Sequence, residues 1–218
     1  MNKVKYLKKE ILPILLILFF LLAGLYVRQS LPAVVPTHWN VNNVPDGWSS
    51  RNFAVFFFPG LIFGIYLLLS IFPKIDPLKE NVKSFSKIYH KFKIVLILFF
   101  GYIYLLSLYA ALNHTLNIGR LMMIGLAWLF YYLALIFPQI KRNYFFGIRL
   151  PWTLASDENW NKTHKFGKRV FIILAFLTLI NSFFSGPLAA IFFTSEMIIG
   201  ILIISIYSYR IFQQEKNN

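Results

Sequence analysis

Apolar residues fall in six long runs along this chain, at residues 11–27, 53–72, 94–112, 121–137, 170–184 and 188–207. No polar face alternates with these runs, so they do not read as the amphipathic helices of a soluble core. A helix that crosses a bilayer needs about 20 predominantly apolar residues. The first five runs are near or slightly below that length, and flanking Tyr, Lys and Arg extend them to the interfaces. The pattern predicts an all-α integral membrane protein with six transmembrane helices. Composition agrees: 58% of residues are hydrophobic and 14% charged, against about 25% charged in soluble domains. A basic start (Lys3, Lys5, Lys8, Lys9) precedes the first run. No small-x-small cleavage site follows it, so it reads as an uncleaved anchor.

The net charge of +14 changes the picture only through its placement. Nineteen Lys and Arg fall in the N-terminal tail, the second and fourth loops and the C-terminal tail, and three in the alternate loops. The positive-inside rule puts the richer set in the cytoplasm. Both termini are therefore expected inside, and the basic surface faces anionic headgroups rather than nucleic acid. With no cysteine in the chain, disulfide and thiol chemistry are excluded.

Three segments follow: residues 1–78 as an N-terminal membrane module with spans one and two and their outer loop, residues 79–138 as an interfacial helix with spans three and four, and residues 139–218 as a signature loop, spans five and six and a cytoplasmic tail. In the second segment Lys79, Lys83, Lys87 and Lys91 recur every four residues, with Val82, Phe85, Ile88, Tyr89 and Phe92 on another face. That spacing predicts a basic amphipathic helix lying in the interface.

The outer loop, residues 28–52, contains Pro32, Pro36 and Pro45, which deny it a long helix. Val44-Pro45-Asp46-Gly47 predicts a turn. Two roles suit the flanking tryptophans. They anchor the loop at the membrane boundary, or His38, Trp39, Asn40, Asp46, Gly47 and Trp48 form an external recognition surface. His38, Asp46 and His114 share that side without close ligand spacing, so no metal and no other cofactor is expected. The stretch "LPAVVPTHWNVNNVPDGWSSR" resembles the outer-loop signature of a bacterial membrane domain, P-x-H-W-N followed by a G-x-P-D-G-W-type turn, with Asn43 where that domain often has Gly. The domain commonly precedes a second module.

The second module begins between runs four and five, where "NYFFGIRLPWTLASDENWNKTHKFGKR" combines apolar side chains with Gly147, Pro151 and a lone Arg149. Pro151 disfavours a helical Leu150 and Gly147 permits a tight turn, so residues 147–155 are expected to be irregular. Irregular backbone cannot face lipid, which predicts a cytoplasmic plug folded against the bundle. Ser156 suits a helix N-cap, with Asp157 and Glu158 in the first turn and Trp160, His164 and Gly167 on one face. Arg149 either snorkels to headgroups or clamps backbone carbonyls or an acid. The stretch is similar to the signature of the SdpI family, at Asn143, Gly147, Arg149, Pro151, Trp152, Thr153, Ser156, Trp160 and His164. The resemblance implies a non-enzymatic protein of the bacterial cytoplasmic membrane that protects its producer against a secreted toxin. It also implies a cytoplasmic role in holding a transcriptional repressor at the membrane.

One acid, Glu196, falls inside an apolar run, where a carboxyl usually faces the bundle interior. His114, Arg120, Tyr109 and Asn181 are its candidate partners. Gly60 and Gly64 offer close helix packing. Phosphate-loop, zinc-protease and serine-hydrolase motifs are absent. The rival readings are a small ion-coupled transporter using Glu196 and a membrane sensor without an immunity role.

Overall fold

The computed structural model describes residues 3–112 and 116–217, and only the backbone of residues 3–8. His114 lies outside the described residues. In chain order the elements are α1 (Lys3–Val27), β1 (Val34–Trp39), β2 (Pro45–Ser50), α2 (Arg51–Ile75), α3 (Lys79–Ser84), α4 (Ser86–Leu112), α5 (Ile118–Ile136), α6 (Pro151–Ala155), α7 (Asp157–Asn181) and α8 (Gly186–Asn217). Among the described residues five helical stretches are long and apolar enough to cross a membrane: Lys9–Val27, Arg51–Ile75, Ser86–Leu112, Ile118–Gln139 and Gly186–Asn217. The remaining run, the one beginning at residue 170, forms the second half of α7. The first half carries Asp157, Glu158, Lys162, Lys165, Lys168 and Arg169, so the apolar part from 170 to 181 amounts to about 18 Å of helix.

The chain divides into two compact units, Met1–Ser70 with His90–Met122, and Ile71–Tyr89 with Met123–Asn218. In the first unit Phe20, Val55, Ile62, Ile97 and Tyr104 are core residues. Close approach is built in: a Cβ at Gly101 would lie 1.9 Å from the Phe20 ring, and one at Gly24 would lie 1.8 Å from the Tyr104 hydroxyl. That hydroxyl donates to the Val55 carbonyl (2.8 Å). Lys93 is 4% exposed. Its Nζ donates to Glu10 Oε2 (2.6 Å) and Ser70 Oγ (3.3 Å) and sits 4.8 Å from the Tyr66 ring centroid. An ammonium taken out of water needs such company.

In the second unit α7 and α8 run antiparallel. Asn159 meets Ser208, Phe166 stacks on Tyr207, Leu174 packs on Gly200, Thr178 meets Glu196 and Asn181 meets Ala189. The outer face of this pair is apolar and exposed, at Ile173, Phe176 and Leu177 on α7 and Ile198, Ile201 and Leu202 on α8. Such a surface calls for an apolar environment, lipid or a packed partner.

Three local expectations change. The outer loop is a β-hairpin, so the chain is not wholly helical: β1 pairs antiparallel with β2, from Val34 opposite Ser50 to Trp39 opposite Pro45. Its turn lies at residues 40–44, not 44–47. The Asn40 side-chain oxygen accepts from the N–H groups of Asn42 (3.0 Å) and Val44 (3.1 Å), a side-chain cap that outcompetes the Pro-Asp-Gly turn. Pro45 instead opens a strand, a position proline tolerates.

The basic amphipathic helix is broken at Phe85 into α3 and the start of α4. The Ser84 hydroxyl donates to the Asn81 carbonyl (2.6 Å), which competes with helical continuation. Finally, the irregular stretch ends at Leu150 rather than residue 155. Leu150 is extended, as a residue before proline prefers, and Pro151 then occupies the first turn of the short α6.

Candidate functional site

Four of the signature residues in the second unit, Asn143, Thr153, Trp160 and His164, are buried and form the core of one knot. Its centre is the stacked pair Trp160 and His164 on α7, with ring centroids 4.2 Å apart. Trp160 Nε1 donates to the Ile140 carbonyl (2.8 Å). The Ile148 N–H donates to His164 Nε2 (3.0 Å), which places the His164 proton on Nδ1, facing the Trp160 carbonyl at 2.8 Å. Two points of the loop are thus held by one helical face. Burial pushes the His164 pKa down to about 4, against a smaller upward effect of its bond to the Trp160 carbonyl. The imidazole is neutral in the knot.

Gly147 is required here twice over. Its φ is +117°, and a Cβ would lie 2.5 Å from His164 Nε2 and 3.0 Å from the Trp160 ring. Asn143, 1% exposed, shapes the loop from inside. Its amide donates to the carbonyls of Lys141 and Phe146 (2.8 Å each), and its oxygen accepts from the N–H groups of Phe145 (3.0 Å) and Phe146 (2.7 Å). Thr153 Oγ1 accepts from the Leu150 N–H (2.8 Å) and lies 3.0 Å from the Ile148 carbonyl. Ser156 Oγ accepts from the Asn159 N–H (3.2 Å) and starts α7, as its cap position predicts. Trp152 packs edge-on against Tyr209, 5.4 Å between centroids. Arg149 is exposed and Nη1 donates to the Tyr144 carbonyl (2.7 Å), the carbonyl clamp rather than the acid clamp.

Two contributors are not apparent from the motif. Arg142 Nε donates to Asp157 Oδ1 and Nη1 to the Leu154 carbonyl, both at 2.7 Å. Asp76, 2% exposed, accepts from the N–H groups of Leu78 (2.7 Å) and Tyr144 (2.9 Å), while Phe72 stacks on Phe145 at 4.6 Å. An acid just past the end of an apolar run and before Pro77 is the sequence signal for this anchor. No charge pattern singles out Arg142 over its neighbour Lys141.

In the first unit, the outer-loop residues gather on the hairpin. His38 Nδ1 and Asp46 Oδ1 are 2.5 Å apart on neighbouring strands, and both side chains are exposed. Gly47 faces His38, where a Cβ would come within 2.8 Å of the His38 Cβ. Trp48 is exposed and Trp39 half-buried. Asn43 takes a left-handed φ of 60°, which Gly and Asn both tolerate. Its side chain also accepts from the Gly119 N–H (3.2 Å) and donates to the Leu116 carbonyl (3.0 Å). Thr37, His38, Trp39 and Asn40 wall a cleft of about 300 Å³, closed by Phe58, Ile103, Ile118 and Met122. The hairpin is thus a tethered platform over an apolar cleft.

A larger cleft, about 650 Å³, lies between α7 and α8. Glu196 lines it, and Thr178 Oγ1 donates to Glu196 Oε1 (2.6 Å). Asn181 is the one sequence-proposed partner of Glu196 that lines the same cleft. Gly60 and Gly64 have open space where a Cβ would be. Among the described residues no group of three His, Asp or Glu is placed to hold a metal.

Residues 139–209 match the model of the SdpI/YfhL protein family, and residues 15–63 match a domain of unknown function, DUF1648. The chain is 22% identical to Immunity protein SdpI of Bacillus subtilis (strain 168) over 208 residues, covering 95% of this chain and 98% of that one. No solved structure matches it.

Proposed function

Residues 139–209 belong to the SdpI/YfhL protein family, and from that premise we propose that this chain is a non-enzymatic immunity protein protecting its cell against a secreted peptide or protein toxin. It is a multi-pass protein of the bacterial cell membrane. The observation that carries the proposal is the end-to-end likeness to an immunity protein, which takes in both signature stretches. The hairpin platform, with His38, Trp39, Asn40, Asp46, Gly47 and Trp48, is the recognition surface on this reading. The signature knot is the scaffold that sets the α7–α8 pair and, facing the cytoplasm, the surface that would hold a repressor.

The orientation belongs to the same proposal. Six spans with both termini inside require α7 to cross. Its exposed apolar face continues that of α8, and its Lys-rich half reaches the headgroups by snorkelling. The test is expression in a toxin-sensitive bacterium. Cells carrying the chain should survive a toxin dose that kills cells carrying an empty vector, and Trp39→Ala with Trp48→Ala should lose survival at equal membrane abundance. Death of cells that hold the intact chain in their membrane overturns the proposal.

A further inference from the structure

The α7–α8 cleft holds a pairing problem that the chain does not solve. Glu196 takes one hydrogen bond, from the uncharged Thr178 hydroxyl, and among the described residues no cationic side chain pairs with it. Arg169 lines the same cleft, but it stands nine residues before Thr178 on α7, about 14 Å along the axis. Asn181 also lines the cleft and is 4% exposed; its amide donates to the Ala189 carbonyl (2.9 Å), and its Oδ1 has no donor. A buried acceptor left without a donor costs free energy comparable to a lost hydrogen bond. The surrounding walls are apolar, with Ile173, Phe192 and Ile199 exposed on them. An acid and an orphan acceptor in an apolar groove call for an apolar ligand carrying a hydrogen-bonding cation.

We propose that this cleft is a docking groove for an apolar, membrane-inserted peptide segment that brings a primary ammonium group onto Glu196 and Asn181. The proposal rests on the immunity reading for the identity of its biological partner, which would enter from the end of the pair formed by residues 182–185. A lipid amine suits the site less well. Glu196 lies ten residues into α8 from Gly186, about 15 Å below the helix end, beneath the headgroup level. A lysine on an inserted helix carries its ammonium on a four-carbon stem and reaches sideways at that depth. The volume, about 650 Å³, falls in the range of roughly 300–1,000 Å³ over which pockets bury most of a ligand.

The experiment uses the full chain in phosphatidylglycerol nanodiscs and a dye-labelled Leu/Ala helix of about 20 residues bearing one lysine, against a twin in which that lysine is acetylated. The lysine helix should bind about tenfold more tightly than its twin, the worth of one charge-assisted bond. Glu196→Gln should erase that preference, Glu196→Asp should keep it, and Asn181→Leu should reduce it about threefold. Equal affinity for the two helices, or a preference that survives Glu196→Gln, overturns the proposal. Loss of the preference when phosphatidylethanolamine is added assigns the groove to a lipid amine and also overturns it. A chain that binds the lysine helix selectively but protects no cell defeats the immunity reading alone; a protecting chain indifferent to the lysine defeats the groove alone.

Discussion

At the residue scale the knot assigns a physical task to most of the signature positions. His164 must be neutral to accept from Ile148, so its folded pKa of about 4 lies below the usual value of about 6.5. The unfolded chain therefore binds more protons between those values. The stabilisation is complete above about pH 6.5 and is lost as pH falls through about 4. Thermal unfolding in detergent, followed by tryptophan fluorescence, should show a midpoint that drops across that window, and His164→Gln should flatten the drop attributable to this group. Gly147→Ala should destabilise the fold by about 1–3 kcal/mol, because it adds left-handed strain to a clash with His164. Arg142→Ala should lower the unfolding midpoint more than Arg149→Ala, since Arg142 joins the loop to both Leu154 and Asp157 and Arg149 joins it to Tyr144. The sequence singles out Gly147, Pro151 and Ser156 because their chemistry is local, Trp160 and His164 because their spacing puts them on one helical face, and Asn143 through the family signature alone. Asp76 escapes it because its partner Tyr144 lies far along the chain, and Arg142 because nothing in the sequence sets it apart from Lys141.

Elements with a long apolar period were legible, and those decided by a few polar bonds were not. The runs in α1, α2, α4, α5 and α8 specify helices by hydrophobicity alone. The hairpin was hidden because the Pro-Asp-Gly turn signal was real but overruled by the Asn40 side chain. Asn43→Gly should keep the turn, because glycine accepts the same φ, while losing the side-chain tether to Leu116 and Gly119, whereas Asn43→Val should disorder the tip. Limited proteolysis at the hairpin separates the two outcomes. The break between α3 and α4 was hidden likewise, since its Lys and apolar spacing fits one continuous helix and a Ser84 hydrogen bond interrupts it.

For the whole molecule, the question is which side of the membrane each loop occupies. The absence of cysteine makes single-cysteine labelling clean. A membrane-impermeant maleimide should label Ser185→Cys on intact cells and Ala155→Cys only after permeabilisation. Equal reaction at both positions would mean that the two ends of α7 lie on one side and the helix does not cross. The central claim, protection, is tested most directly in cells that secrete the toxin themselves. Deleting the gene for this chain should make toxin-secreting cells kill themselves, with survival restored by a plasmid copy. Undisturbed growth of the deletion strain during toxin secretion would contradict the account.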